Sequence, residues 1–173
     1  MHNKIVDQIY RRSTEKGWGA LRFNFRGVGK STGVFDAGQG ETEDMLRLCR
    51  HAYGHLNLSQ HPIIFLGYSF GSWILSQFLT LWEHGAHSLY FLAPPVTWYS
   101  FPVRWMNTDR AKKYVYAAEQ DELIPVQKIQ DWFEKLSEPK KITVIEESGH
   151  YFHTKTTLLT KQIMDEMESA CRT

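Results

Sequence analysis

Short apolar runs alternate with segments of helical period along this sequence, and that alternation marks a parallel sheet covered by helices. Between Lys4 and about Lys16, Ile5, Val6, Ile9 and Tyr10 share one face, and Gly17 stops the helix. Leu21-Arg22-Phe23-Asn24-Phe25 reads as a first strand, followed by a loop carrying Gly27, Gly29, Gly33, Gly38 and Gly40. Thr42 is placed to cap the next helix, with Glu43 and Asp44 in its first turn, and that helix runs to about Gly54. Ile63-Ile64-Phe65-Leu66 follows Pro62 as a continuous apolar run, the pattern of a strand buried on both faces. A helix over about Phe70 to Glu83 comes next. Ser88 to Leu92, Lys113 to Ala117 and Ile142 to Ile145 supply three further strands. A helix near Val126 to Leu136 separates the last two, and Leu158 to about Ser169 forms the closing helix. The predicted fold is a single α/β domain over residues 1–173, with a mainly parallel sheet of at least five strands and helices on both faces.

Composition limits what such a domain does. At 173 residues, folding buries roughly 70% of the surface the unfolded chain exposes, enough for a core without disulfide or metal staples. With 20 basic against 19 acidic side chains and a net charge of +1, no basic face for nucleic acid is expected. No apolar run approaches the ~20 residues that a membrane-spanning helix needs, and the polar start carries no secretory signal pattern. Cys49 and Cys171 are too few for a secreted disulfide framework, so a cytoplasmic setting is expected.

The sharpest local signal is Gly67-Tyr68-Ser69-Phe70-Gly71, which sits directly after a buried strand and directly before a helix. A nucleophile elbow needs that context: the turn is so tight that small residues must flank a serine held in a strained conformation. The N–H of Phe70 would then be one oxyanion donor. The alternative reading is a glycine-bounded turn with a capping serine.

A nucleophilic serine needs a base and an orienter, in the hydrolase chain order Ser, Asp or Glu, His. Asp121 lies just past a strand end, where catalytic groups collect in open parallel sheets, with Glu119 and Glu122 as neighbouring competitors. His150 follows the last strand in Glu146-Glu147-Ser148-Gly149-His150. Tyr68 in the elbow and Trp98 in the loop after Leu92 are the candidate substrate contacts. That loop is too short for a lid domain.

Two other chemistries fit poorly. Gly27-Val28-Gly29-Lys30-Ser31-Thr32 looks like the end of a phosphate-binding loop, but the first glycine of that motif would fall at Asn24, and Gly33, Gly38 and Gly40 interrupt the helix it must open. His150 and His153, near Glu146 and Glu147, lack the helical i, i+4 spacing and third ligand of a metal site. No metal and no cofactor is expected.

Together these residues resemble the α/β-hydrolase superfamily, and within it a group of small lid-less serine hydrolases. The resemblance is carried by Leu21-Arg22-Phe23-Asn24-Phe25-Arg26-Gly27-Val28-Gly29-Lys30-Ser31, then Gly33, Phe35-Asp36, Gly38 and Gly40-Glu41. It continues through the elbow, Leu92-Ala93-Pro94-Pro95-Val96 and Gly149-His150. It implies Ser69 as nucleophile, His150 as general base and later acid, Asp121 as its orienter, and a small-molecule acyl substrate hydrolysed through an acyl-enzyme. It also implies that the early strands and the second oxyanion donor of the family are absent, so the sheet is expected to be N-terminally truncated. An unpaired strand edge there would favour self-association into a homo-oligomer. A second reading stays open: a catalytically impaired scaffold that binds a ligand or protein partner through Trp98, Tyr99, Phe101 and Trp105.

Overall fold

A computed structural model of the chain describes residues 3–103, 107 and 110–171. The first helix, α1 (Lys4–Glu15), starts where Asn3 Oδ1 accepts the N–H groups of Ile5 and Val6, both at 3.1 Å. Four strands follow in the order that the apolar runs dictate: β1 (Ile64–Tyr68), β2 (Ser88–Leu92), β3 (Lys112–Ala118) and β4 (Lys140–Ile145). They lie side by side as β1-β2-β3-β4 with every pair parallel, Phe65 opposite Leu89 and Phe91 opposite Val115.

Strand alternation divides the core in two. Leu89, Phe91, Val115 and Ala117 face α2 (Gln39–His55), α3 (Phe70–Phe78) and α4 (Val126–Phe133), packing with Ile74, Leu75, Phe78 and Ile129. Tyr90, Leu92, Tyr114 and Tyr116 face α1 and α5 (Thr156–Cys171), packing with Ile5, Ile9, Leu159 and Ile163. All five residues of β2 are fully buried, as a central strand covered on both faces requires. Each large apolar side chain buried this way contributes about 1.5–3 kcal/mol.

The expected fifth strand is absent: the described residues form four. Positions 21–25 belong to no strand and no helix and pair with none of the four strands. Their alternation arises because Phe23 and Phe25 pack onto the core while Leu21 stays exposed, and apolar alternation signals a buried face whether or not a ladder partner exists. The cap of α2 also differs. It begins at Gln39 after Gly38, where a φ of +98° suits glycine. Glu41 does the capping, its carboxylate accepting the N–H groups of Gly38 and Asp36 at 2.9 Å each, while Thr42 Oγ1 donates back to the Gly38 carbonyl at 2.7 Å. Asp44 is not a first-turn residue. It holds Arg26 through two hydrogen bonds, at 2.8 and 2.9 Å, fixing the glycine-rich loop against α2. The third helix ends at Phe78, and a short 3-10 turn, Leu58–Gln60, precedes β1. Among the described residues no helix is long and apolar enough to cross a membrane.

Candidate active site

The sheet ladder continues into the loops at its carboxyl edge. Ser69 N–H donates to Leu92 O at 2.8 Å, Ala93 N–H to Tyr116 O at 2.8 Å, and Glu119 N–H to Ile145 O at 3.0 Å. Each loop therefore leaves the sheet in register with its neighbour, and residues distant in the chain converge above the strand ends.

Ser69 occupies the turn between β1 and α3 with φ +49° and ψ −122°, a conformation that costs an L-residue about 1–3 kcal/mol. Its backbone is held there from both sides. Besides the bond to Leu92, its carbonyl accepts the Ser72 N–H at 2.8 Å and the Ser72 hydroxyl at 2.6 Å. The two glycines of the turn are not equivalent. A Cβ on Gly67 would lie 2.5 Å from both Gly71 O and Ser72 Cα, whereas one on Gly71 would meet nothing closer than 4.0 Å. As the first residue of α3, Phe70 carries an N–H with no helical carbonyl to bond.

His150, 1% exposed, brings Nε2 to 2.9 Å from Ser69 Oγ and Nδ1 to 2.8 Å from Asp121 Oδ2. Asp121 Oδ1 accepts the N–H groups of Leu123 at 2.9 Å and Ile124 at 2.7 Å. Burial pushes the Asp121 carboxyl upward, but the His150 hydrogen bond and these two N–H groups outweigh it and hold the group below its ordinary value. An imidazole bridging a hydroxyl and an ionised carboxylate is the arrangement that lets a serine oxygen lose its proton as it attacks.

Glu119 and Glu122, the competing carboxylates, accept backbone N–H groups instead of the His150 ring. Glu119 Oε2 accepts the Glu147 N–H at 2.8 Å, and Glu122 Oε2 accepts the His150 N–H at 2.9 Å. Tyr68 donates its hydroxyl to the His150 carbonyl at 3.0 Å, and burial pushes its pKa well above the ordinary tyrosine range. These two contacts to the His150 backbone escape sequence reasoning, because nothing in a local pattern says which backbone a side chain will reach.

The aromatic loop after β2 divides its residues. Tyr99 stacks on Trp73 with ring centroids 4.1 Å apart, and Phe101 is buried 5.1 Å from the Trp132 ring. Trp98 is 56% exposed, and Trp105 lies outside the described residues. A cavity of about 330 Å³ between this loop and α4 is lined by Tyr99, Phe101 and Trp132, among others, but not by Ser69, Asp121 or His150. Ser69, His150 and Asp121 are placed by their hydrogen bonds, not by that cavity. Among the described residues, no three His, Cys, Asp or Glu side chains gather as a metal site.

No family model matches the chain. An uncharacterized protein of Rickettsia prowazekii (strain Madrid E) is 28% identical over 170 residues, which is 95% of this chain and 71% of that protein. Among solved structures, an α/β serine hydrolase homologue from Coxiella burnetii superposes with a TM-score of 0.83 at 30% identity, covering 96% of this chain and 77% of that one. A lid-less α/β serine hydrolase from Xanthomonas campestris gives a TM-score of 0.86 at 26% identity, over 100% of this chain and 76% of that one. With a parallel sheet flanked by helices and a serine at the turn between β1 and α3, the chain belongs to the α/β-hydrolase superfamily, beside its small lid-less members.

Proposed function

We propose that this chain is a serine hydrolase of esterase type, acting on a carboxyl ester or related acyl substrate. The observation that carries the reading is one imidazole, His150, within hydrogen-bond distance of both Ser69 Oγ and Asp121 Oδ2. Ser69 Oγ attacks the acyl carbonyl and His150 Nε2 accepts its proton. Asp121 keeps the Nδ1 proton pointed toward its carboxylate and stabilises the imidazolium. The carbonyl oxygen, now an anion, is received by the Phe70 N–H. Collapse of this intermediate expels the alcohol, which takes the proton from His150 and leaves Ser69 acylated. Water then attacks the ester carbon with His150 again as base, releasing the acid and restoring Ser69. Tyr68, whose ring lies 6.0 Å from that of His150, and exposed Trp98 are assigned to the wall that the substrate meets. Both cysteines are free, which fits a reducing, cytoplasmic setting.

A fluorophosphonate probe tests the reading directly. Covalent phosphonylation that maps to Ser69 is the expected result, and a folded chain that takes no label contradicts it. Exposed Trp98 favours a second reading, a scaffold binding a ligand or protein partner, and that reading gains if labelling fails while the fold is intact.

A further inference from the structure

His150 sits in a loop beyond β4 that belongs to neither strand nor helix, so its imidazole is only as well placed as the peptide that carries it. Asp121 fixes the rotation of the ring. The origin of the side chain is fixed separately, because the His150 N–H donates to Glu122 Oε2 and its carbonyl accepts the Tyr68 hydroxyl. Gly149 corroborates the first contact: a Cβ there would lie 2.7 Å from Glu122 Oε2, so the carboxylate occupies the space a side chain would take. Two more bonds join the same loops, Glu147 N–H to Glu119 Oε2 at 2.8 Å and Gln120 N–H to Ser148 O at 2.9 Å. Glu122 is exposed, and the His150 N–H holds its carboxyl below the ordinary range.

We infer that the Glu122 carboxylate and the Tyr68 hydroxyl act as positioning groups, a clamp on the backbone N–H and carbonyl of His150 that sets the distance from Nε2 to Ser69 Oγ. The inference rests on the reading of Ser69, His150 and Asp121 as the hydrolytic groups. Displacing a reacting group by an ångström costs up to ~100-fold in rate, and a clamp acting on the base affects the chemical step more than ground-state binding.

The test compares Glu122→Ala, Glu122→Gln and Tyr68→Phe with the wild-type chain, by steady-state hydrolysis of a short-chain aryl ester and by proton NMR of the downfield His150 Nδ1–H resonance. That resonance is assigned by its loss in His150→Ala, and circular dichroism checks each fold. Glu122→Ala should lower kcat about tenfold with KM nearly unchanged, and should broaden the resonance. Glu122→Gln keeps an acceptor oxygen and should restore both readouts. Tyr68→Phe, which frees the carbonyl end, should fall between them. Wild-type kcat and an unaltered resonance in Glu122→Ala overturn the clamp, and so does a Glu122→Gln variant as impaired as Glu122→Ala. If the wild type itself is inactive, the hydrolase reading fails, and the resonance alone decides the clamp.

Discussion

Ser69 Oγ and His150 Nε2 lie 2.9 Å apart although 81 residues separate them in the chain. The sheet produces that meeting. Ser69 follows β1 directly, Asp121 comes three residues after β3 and His150 five after β4, and backbone bonds between the loops carry the strand register beyond the sheet.

The turn at Ser69 should respond unequally to its two glycines. Gly67→Ala forces a Cβ against the backbone of Gly71 and Ser72, where nothing flexible can yield. A cost of about 2–3 kcal/mol is expected from overpacking. Gly71→Ala puts a Cβ in the first turn of α3 at an ordinary contact distance, 4.0 Å, from the Phe25 ring, and should be neutral, or stabilising by up to about 1 kcal/mol. Urea denaturation midpoints of the two variants check this, and equal losses would contradict it.

Acid should act through Asp121. Its carboxyl is held below the ordinary value of 3.8 in the folded chain, so the stability it contributes is fully present above that pH. That contribution is lost as pH falls through the lower, folded value. Thermal midpoints followed from about pH 5 down to pH 2 should therefore drop more steeply for the wild type than for Asp121→Asn. Parallel curves would contradict the assignment of this carboxylate as a held anion.

Gly149→Ala should displace the Glu122 carboxylate, the far end of a flexible side chain, and not the backbone. Stability should change by less than about 1 kcal/mol, while kcat falls as it does in Glu122→Ala. Wild-type turnover in Gly149→Ala would show that the displaced carboxylate had no part in placing His150.

The two thiols should react at different rates. Burial pushes Cys49 up to about 11, whereas Cys171 is exposed at the end of α5. Near pH 8 an aromatic disulfide reagent should modify Cys171 in the folded chain and reach Cys49 only on unfolding. Peptide mapping of the modified residue distinguishes the outcomes.

How much of this is legible in the sequence depends on how local each feature is. The Ser69 turn is readable because strand, small residues and helix all lie within a few positions. Spacing alone does not choose among Glu119, Asp121 and Glu122, since all three lie within four residues past one strand end, and only the superfamily resemblance singles out Asp121. The structure supplies the physical reason for Asp121: its short side chain turns back to accept the Leu123 and Ile124 N–H groups, a geometry that suits Asp better than Glu. Positions 21–25 mislead for the opposite reason. Phe23 and Phe25 carry the alternation of a strand, yet pairing depends on what lies alongside, which no local pattern records. The start of α2 is equally hard to read, because Glu41 caps it from inside the helix while the residue before the helix, Gly38, has no side chain to cap it.

The measurement closest to the central claim is hydrolysis of a short-chain aryl ester by the purified chain and by Ser69→Ala, with circular dichroism establishing that both are folded. The expected result is turnover by the wild type that falls at least ~10³-fold in the variant. Equal rates in the two proteins, or a folded wild type without turnover, would contradict it.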